Sequence, residues 1–223
     1  MIPVGYYPCT QDAPEGKNVD RMIDEIMAQA ELCEQTNYDG FYFTEHHQQA
    51  DGYLPNPVLM AGLVGARTTR INVGTCIALA PLYHPIRLAE DCAVIDQATK
   101  GRFRLALGIG YQDIDFEAFG VNPKQRARRS EEVIAVLRDA WAGKKVSALS
   151  SDYQFKDVSV TPTPFRKTRI SGLPHGVNPV LNAPRVSPTA GLSTPFSQYL
   201  LLKHRLICTA KNVRRMAANL LFV

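Results

Sequence analysis

The chain has 223 residues and 45% apolar content, enough for one sizeable core and one or two domains. It contains no apolar run of about 18 residues, which excludes a membrane-spanning helix. Met1 to Thr10 lacks a basic stretch ahead of an apolar one, so no signal peptide is expected. The net charge of +4 divides unevenly: residues 1–157 hold 16 Lys+Arg against 21 Asp+Glu, and residues 158–223 hold 9 Lys+Arg and no acid. A basic segment can mark nucleic-acid or membrane contact. Here the split points instead to two joined segments of different character, with no nucleic acid or membrane as partner. Cys9, Cys33, Cys76, Cys92 and Cys208 are dispersed, with no CxxC. That suits reduced thiols in a cytoplasmic protein.

Residues 1–145 repeat strand then helix. Ile2–Tyr7 reads as a short strand. Val19, Met22, Ile23, Ile26, Met27, Ala30 and Cys33 recur at helical spacing, with Asn18 as the expected N-cap. Gly40–Thr44 is a short aromatic strand. Asn56-Pro57 starts a helix running to about Arg67, with proline in the first turn. Ile71–Ala78 is the third strand, and His84-Pro85 opens a helix to about Ala98. Arg102–Gly108 is the fourth strand. Asn122-Pro123 begins a helix whose stripe is Val133, Ile134, Val136, Leu137, Ala140 and Trp141.

Strands therefore start about 30 residues apart, the pitch of one βα unit with parallel strands. The strands are apolar on both faces, as a helix-covered sheet requires. An open doubly wound sheet and a (β/α)8 barrel both fit this rhythm. Beyond it, Tyr153–Val160 alternates like a hairpin strand, and Thr161-Pro-Thr-Pro164 ends it. Seven prolines fall between 162 and 198, which resists regular structure. Only Gln198–Val223 could form a helix, basic and amphipathic.

Several clusters could carry chemistry. Glu45-His46-His47 directly follows the second strand, where α/β barrels place their reactive groups. A histidine there can act as acid or base near neutral pH. Adjacent residues in extended chain point to opposite sides, so one ring can face a site while the other packs behind it. Both could instead satisfy loop carbonyls. Zinc is not expected, since no HExxH occurs. Gly108-Ile109-Gly110 ends the fourth strand and permits close backbone approach. It also reads as a tight turn, and Asp113 rules out a dinucleotide fingerprint. Thr75-Cys76-Ile77 reads as core, and nothing basic pairs with Cys76 to make it a nucleophile. Asp113, Asp115 and Glu117 read as a solvated loop or helix start. Lys124, Arg126, Arg128 and Arg129 read as the wet face of a helix or a phosphate contact.

Taken in order, these residues resemble a family. Glu45-His46-His47, Asn72-Val-Gly-Thr75, His84-Pro-Ile-Arg87, Ala89-Glu-Asp91, Asp96 and Lys100-Gly-Arg-Phe-Arg104 are similar to bacterial luciferase and its relatives. Phe116-Glu-Ala-Phe-Gly120, Arg129-x-x-Glu132 and Trp141-x-Gly143 resemble the wider group of luciferase-like, flavin-dependent monooxygenases. The resemblance covers about residues 1–167. It implies a TIM-barrel fold, (β/α)8, present here as four βα units, with the cofactor at the C-terminal strand ends.

The resemblance further implies reduced FMN, or in a related branch the deazaflavin F420. It implies O2 and a small organic substrate, a separate flavin reductase, and a homodimer. His46 matches the catalytic histidine that serves as base, and His47 a more structural one. Cofactor contacts would come from Glu45, Thr75, Cys76, Ile77, Gly108 and Gly110. Cys76-Ile77 falls where several members have a non-prolyl cis peptide. Where luciferase has a phosphate-binding arginine this chain has Ile109, and at its reactive cysteine position stands Gly108. Neither phosphate binding by this loop nor luciferase activity itself is expected.

A full barrel needs roughly 250 residues, and residues 168–223 cannot hold four more units. The expected organisation is a half-barrel over 1–167 and an irregular basic tail over 168–223. The abrupt loss of acids and gain of prolines suggests a reading frame shifted near Thr168. An F420-dependent oxidoreductase and an inactive half-barrel are the competing functional expectations.

Overall fold

The strand–helix rhythm becomes four parallel strand positions in strict chain order. A computed structural model describes residues 4–165, all within one compact unit. β1 (Gly5–Tyr6), β2 (Gly40–Phe43), β3 (Asn72–Thr75) and β5 (Phe103–Arg104) form one sheet in the order β1-β2-β3-β5. β4 (Ala78–Leu79) and β6 (Leu107–Gly108) pair in parallel beyond them. A doubly wound sheet reverses its strand order at a switch point. Monotonic order with no reversal is instead the layout of consecutive barrel units, which decides between the two architectures.

The helices lie where apolar spacing puts them. α1 (Val19–Gln35) buries Met22, Ile26, Ala30 and Cys33. α2 (Pro57–Arg67) starts as expected, with the Asn56 side chain accepting the Leu59 N–H at 2.9 Å. α3 (Pro85–Ala98) buries Leu88, Ala89, Cys92 and Ala93. α5 (Arg126–Trp141) buries Val133, Val136, Leu137 and Ala140. Phe41, Phe43, Val73 and Ile71 are fully buried in the same core.

Several expectations shift by a few residues, each for a physical reason. Asn18 precedes α1, but its side chain caps nothing. Its own N–H donates to Asp12 Oδ2 at 2.5 Å, so the preceding loop does the anchoring. The third strand splits into β3 and β4, and the fourth into β5 and β6. Thr75 marks both breaks. Its hydroxyl donates to the Ala106 carbonyl at 2.7 Å and accepts the Ala106 N–H at 3.0 Å, taking the place of ladder bonds.

Asn122-Pro123 opens a short 3-10 turn, Pro123–Gln125, and α5 begins only after it. The acidic cluster resolves as a short helix, α4 (Asp113–Ala118), in which Asp115 is only 2% exposed. No hydrogen-bond partner among the described residues reaches Asp115 Oδ1.

Side-chain clamps hold the connections. Arg102 donates to the Gly65, Thr68 and Ile71 carbonyls and to the Thr68 hydroxyl at 2.8–3.1 Å, closing the turn that feeds β3. Trp141 Nε1 donates to the Ala89 carbonyl at 3.1 Å, fastening α5 to α3. Arg129 is not a wet surface charge. Its Nε donates to the Pro81 carbonyl at 3.0 Å, and its guanidinium lies 4.5 Å from the Tyr153 ring centroid. The hairpin expected around Tyr153–Val160 reduces to an antiparallel bridge between Val146 and Val158. The expected boundary at 167/168, the irregular tail and the Gln198–Val223 helix lie outside the described residues. No described helix is long and apolar enough to cross a membrane.

Candidate functional site at the strand ends

The side chains at the C-terminal ends of the second, third and fourth strand positions converge. Glu45 follows β2 and is 5% exposed. Its carboxylate accepts the Leu79 N–H at 2.6 Å, the Tyr83 hydroxyl at 3.1 Å and His47 Nε2 at 3.0 Å. It thus binds the end of β2 to the segment after β3. The Tyr83 hydroxyl is pushed well above its ordinary range, first by burial and then by the Glu45 charge.

The two histidines part company as extended backbone requires. His47 turns inward onto Glu45, with its ring 4.7 Å from that of Phe119. His46 turns the other way. Its Nδ1 lies 2.9 Å from Gln112 Nε2, and its ring meets Tyr53 edge-on at 4.8 Å. Nε2 of His46 has no partner among the described residues. Tyr53 is itself held by a close contact between its hydroxyl and that of Thr44.

The Cys76–Ile77 peptide bond is cis, as the resemblance implied. The Cys76 N–H donates to the Phe43 carbonyl at 2.6 Å, and the Ala78 N–H to the Ala106 carbonyl at 2.9 Å. Both side chains are half-buried at the strand ends. The Tyr7 hydroxyl is also shifted up, first by burial and next by its hydrogen bond to Cys76.

Gly108 pairs with Leu79 in register. A Cβ on it would overlap the tip of the Ile77 side chain, so Ile77 lies across that glycine. Gly110 has φ +71 and faces Phe116 of α4, a left-handed turn that favours glycine. Thr75 is 1% exposed and engaged with Ala106, behind the surface rather than on it.

Sequence reasoning missed three residues here. Gln112 and Gln48 reach across from the fourth strand's loop and the second's, Gln48 Nε2 donating to the Ile114 carbonyl at 2.8 Å. Tyr83 completes the Glu45 cluster. None has a spacing signal, because each partner is supplied by another βα unit. No group of three or more potential metal ligands occurs among the described residues.

Residues 6–183 match the family described as luciferase-like monooxygenase. The chain belongs to the luciferase-like monooxygenase family.

The alkanal monooxygenase alpha chain of Photobacterium leiognathi is 31% identical over 162 residues, covering 71% of this chain and 45% of that protein. Among solved structures, the oxygenating constituent of 3,6-diketocamphane monooxygenase from Pseudomonas putida, in complex with FMN, superposes with a TM-score of 0.65 at 18% identity, covering 74% of this chain and 49% of that one. An F420-dependent secondary alcohol dehydrogenase in complex with an F420-acetone adduct superposes at 0.58 with 20% identity, covering 73% and 49%. At these identities the structural matches establish the fold. The chain spans about half the length of the luciferase-like proteins it matches.

The family's shared motifs act structurally here. Arg102, Arg129, Glu132 and Trp141 all clamp backbone. At the strand ends Cys76, Ile77 and Ile109 are half-buried and apolar, and His46 Nε2 has no partner among the described residues, a set that would suit an apolar flavin-type ring. The Gly108-to-Gln112 loop carries no cation for a phosphate.

Proposed function

We propose that the strand ends form the flavin-ring side of an oxidoreductase site of the monooxygenase type, with reduced FMN as cofactor. The observation that carries this reading is the convergence of His46, Cys76–Ile77 and the Gly108–Gly110 turn on three adjacent parallel strands. When bound, reduced FMN would supply electrons to O2 for oxidation of a small organic substrate. Cys76, Ile77, Gly108 and Gly110 would hold its ring. Glu45 and Thr75 act one layer behind, fixing the backbone that presents those residues. His46 would move the proton, because its ring turns toward the strand ends and its Nε2 has no partner among the described residues.

A reductase working separately would supply the reduced flavin, and a homodimer is the expected assembly. Cys9, Cys33, Cys76 and Cys92 are free thiols, in keeping with a reducing, cytoplasmic setting. The phosphate contact would come from outside the Gly108–Gln112 loop.

Titration of the full chain with oxidised FMN, reduced FMN and reduced F420, followed by fluorescence, tests the reading. Saturable binding of reduced FMN in preference to F420 supports it. Preference for F420 replaces it with the deazaflavin-dependent reading. A folded sample that binds none of the three is an inactive half-barrel.

A further inference from the structure

We propose that Gln112 is a positioning residue that fixes the tautomer of His46, its amide N–H holding Nδ1 so that the neutral ring presents Nε2–H at the strand ends. This rests on the reading of His46 as the proton-transfer group, and it adds which nitrogen faces the bound species and with what sign.

The geometry is over-determined. Gln112 immediately precedes α4, and its carbonyl accepts the Asp115 N–H at 3.2 Å, so its own backbone is anchored. The same loop is tied to the β2 end a second time by Gln48, which donates to the Ile114 carbonyl. The side chain is half-buried and reaches His46 Nδ1 at 2.9 Å. Tyr53 meets the ring edge-on at 4.8 Å, and the Tyr111 ring centroid lies 6.5 Å away, which limits ring rotation. The carboxylate adjacent in sequence, Glu45, is engaged by Leu79, Tyr83 and His47, and makes no hydrogen bond to His46.

In a neutral imidazole one nitrogen donates and the other accepts, and the partner of one decides the state of the other. An amide N–H on Nδ1 occupies that lone pair. The ring proton then resides on Nε2, the nitrogen without a partner. In this state His46 donates a hydrogen bond from Nε2–H to an oxygen of the bound species. It takes up a proton, at Nδ1, only when the amide lets go, and the imidazolium so formed can then give up the Nε2 proton. A carboxylate at position 112 would reverse this, accepting from Nδ1–H and leaving Nε2 as a bare lone pair.

Long-range nitrogen–proton NMR correlations on the full-length protein, at a pH above the imidazole titration, read the tautomer directly and need no cofactor. The His46 signals are assigned by their loss in His46→Gln among the five histidines. The expected result is Nε2–H in the unaltered protein, a mixture of tautomers in Gln112→Met, and Nδ1–H in Gln112→Glu. Finding Nδ1–H in the unaltered protein would overturn the proposal, since the amide oxygen would then face the ring. An unchanged tautomer in a folded Gln112→Glu sample would overturn it as well. Cofactor titration stands apart: binding with the wrong tautomer leaves the flavin-site reading intact, and the right tautomer without binding removes that reading alone.

Discussion

Glu45 accepts the backbone N–H of Leu79 across 2.6 Å, and so joins the second residue past β2 to the second residue of β4. The same carboxylate holds His47 and Tyr83. The orientation of the histidine pair and the course of the chain after the cis bond thus share one buried anion.

Removing that anion orphans buried donors, and hydrogen bonds to charged groups contribute about 1.5–3 kcal/mol each. Glu45→Ala is therefore expected to destabilise the fold by about 3 kcal/mol, read from the midpoint of urea unfolding. Glu45→Gln keeps an acceptor for Leu79 and is expected to lose roughly half as much. Equal loss in both variants would mean that charge, not the hydrogen bond, matters.

Gly74 pairs with Arg104 in the sheet, and a Cβ built on it would overlap the Arg104 carbonyl oxygen. The obstacle is backbone and cannot swing aside. Gly74→Ala is expected to cost about 3 kcal/mol, at the upper end of overpacking effects. A thermal midpoint within a degree of the parent would contradict this close approach.

Glu34 closes the turn into β3. Burial alone would raise its pKa, but the Thr69 hydroxyl and the N–H groups of Ile71, Thr69 and Arg70 outweigh burial and hold it at about 2, against an ordinary 4.5. A carboxyl depressed in the folded state contributes stability that is fully present above its unfolded pKa. That contribution is lost as pH falls from about 4.5 toward about 2. Urea midpoints compared at pH 7 and pH 3 are expected to drop less for Glu34→Gln than for the parent protein. Parallel drops would place the acid-labile group elsewhere.

Much of this was readable in advance. Helix starts at Asn56-Pro57 and His84-Pro85 are local signals, written by capping geometry and proline's fixed φ, and the structure keeps them. The alternating directions of His46 and His47 follow from extended backbone alone. What escaped was non-local. Gln112 meets His46 across 66 residues, and Glu45 meets Leu79 across 34. No periodicity within one βα unit can reveal a partner in the next. Asn18 does not cap because its side-chain amide turns to Asp12, Nδ2 donating to Oδ2 at 3.4 Å, rather than offering its oxygen to the helix. The strand breaks at Thr75 were hidden because the hydroxyl substitutes for ladder bonds in an apolar run that reads as continuous.

Ile109 is half-buried at the end of the fourth strand, in a loop without a cation. Ile109→Arg is expected to raise affinity for FMN about tenfold and leave riboflavin unchanged, since only FMN offers a phosphate for bidentate pairing. Equal gains for both ligands would show that the new side chain acts on the ring. No gain for either would remove this loop from the phosphate's reach.

The most direct test compares the unaltered protein with His46→Ala, first for equilibrium binding of reduced FMN without oxygen, then for oxidation of the bound flavin when oxygen is admitted. The expected result is saturable binding by both proteins and altered oxidation kinetics only in the unaltered one. Absence of binding by a folded, unaltered sample, or identical kinetics in the two proteins, would contradict a flavin-dependent site centred on His46.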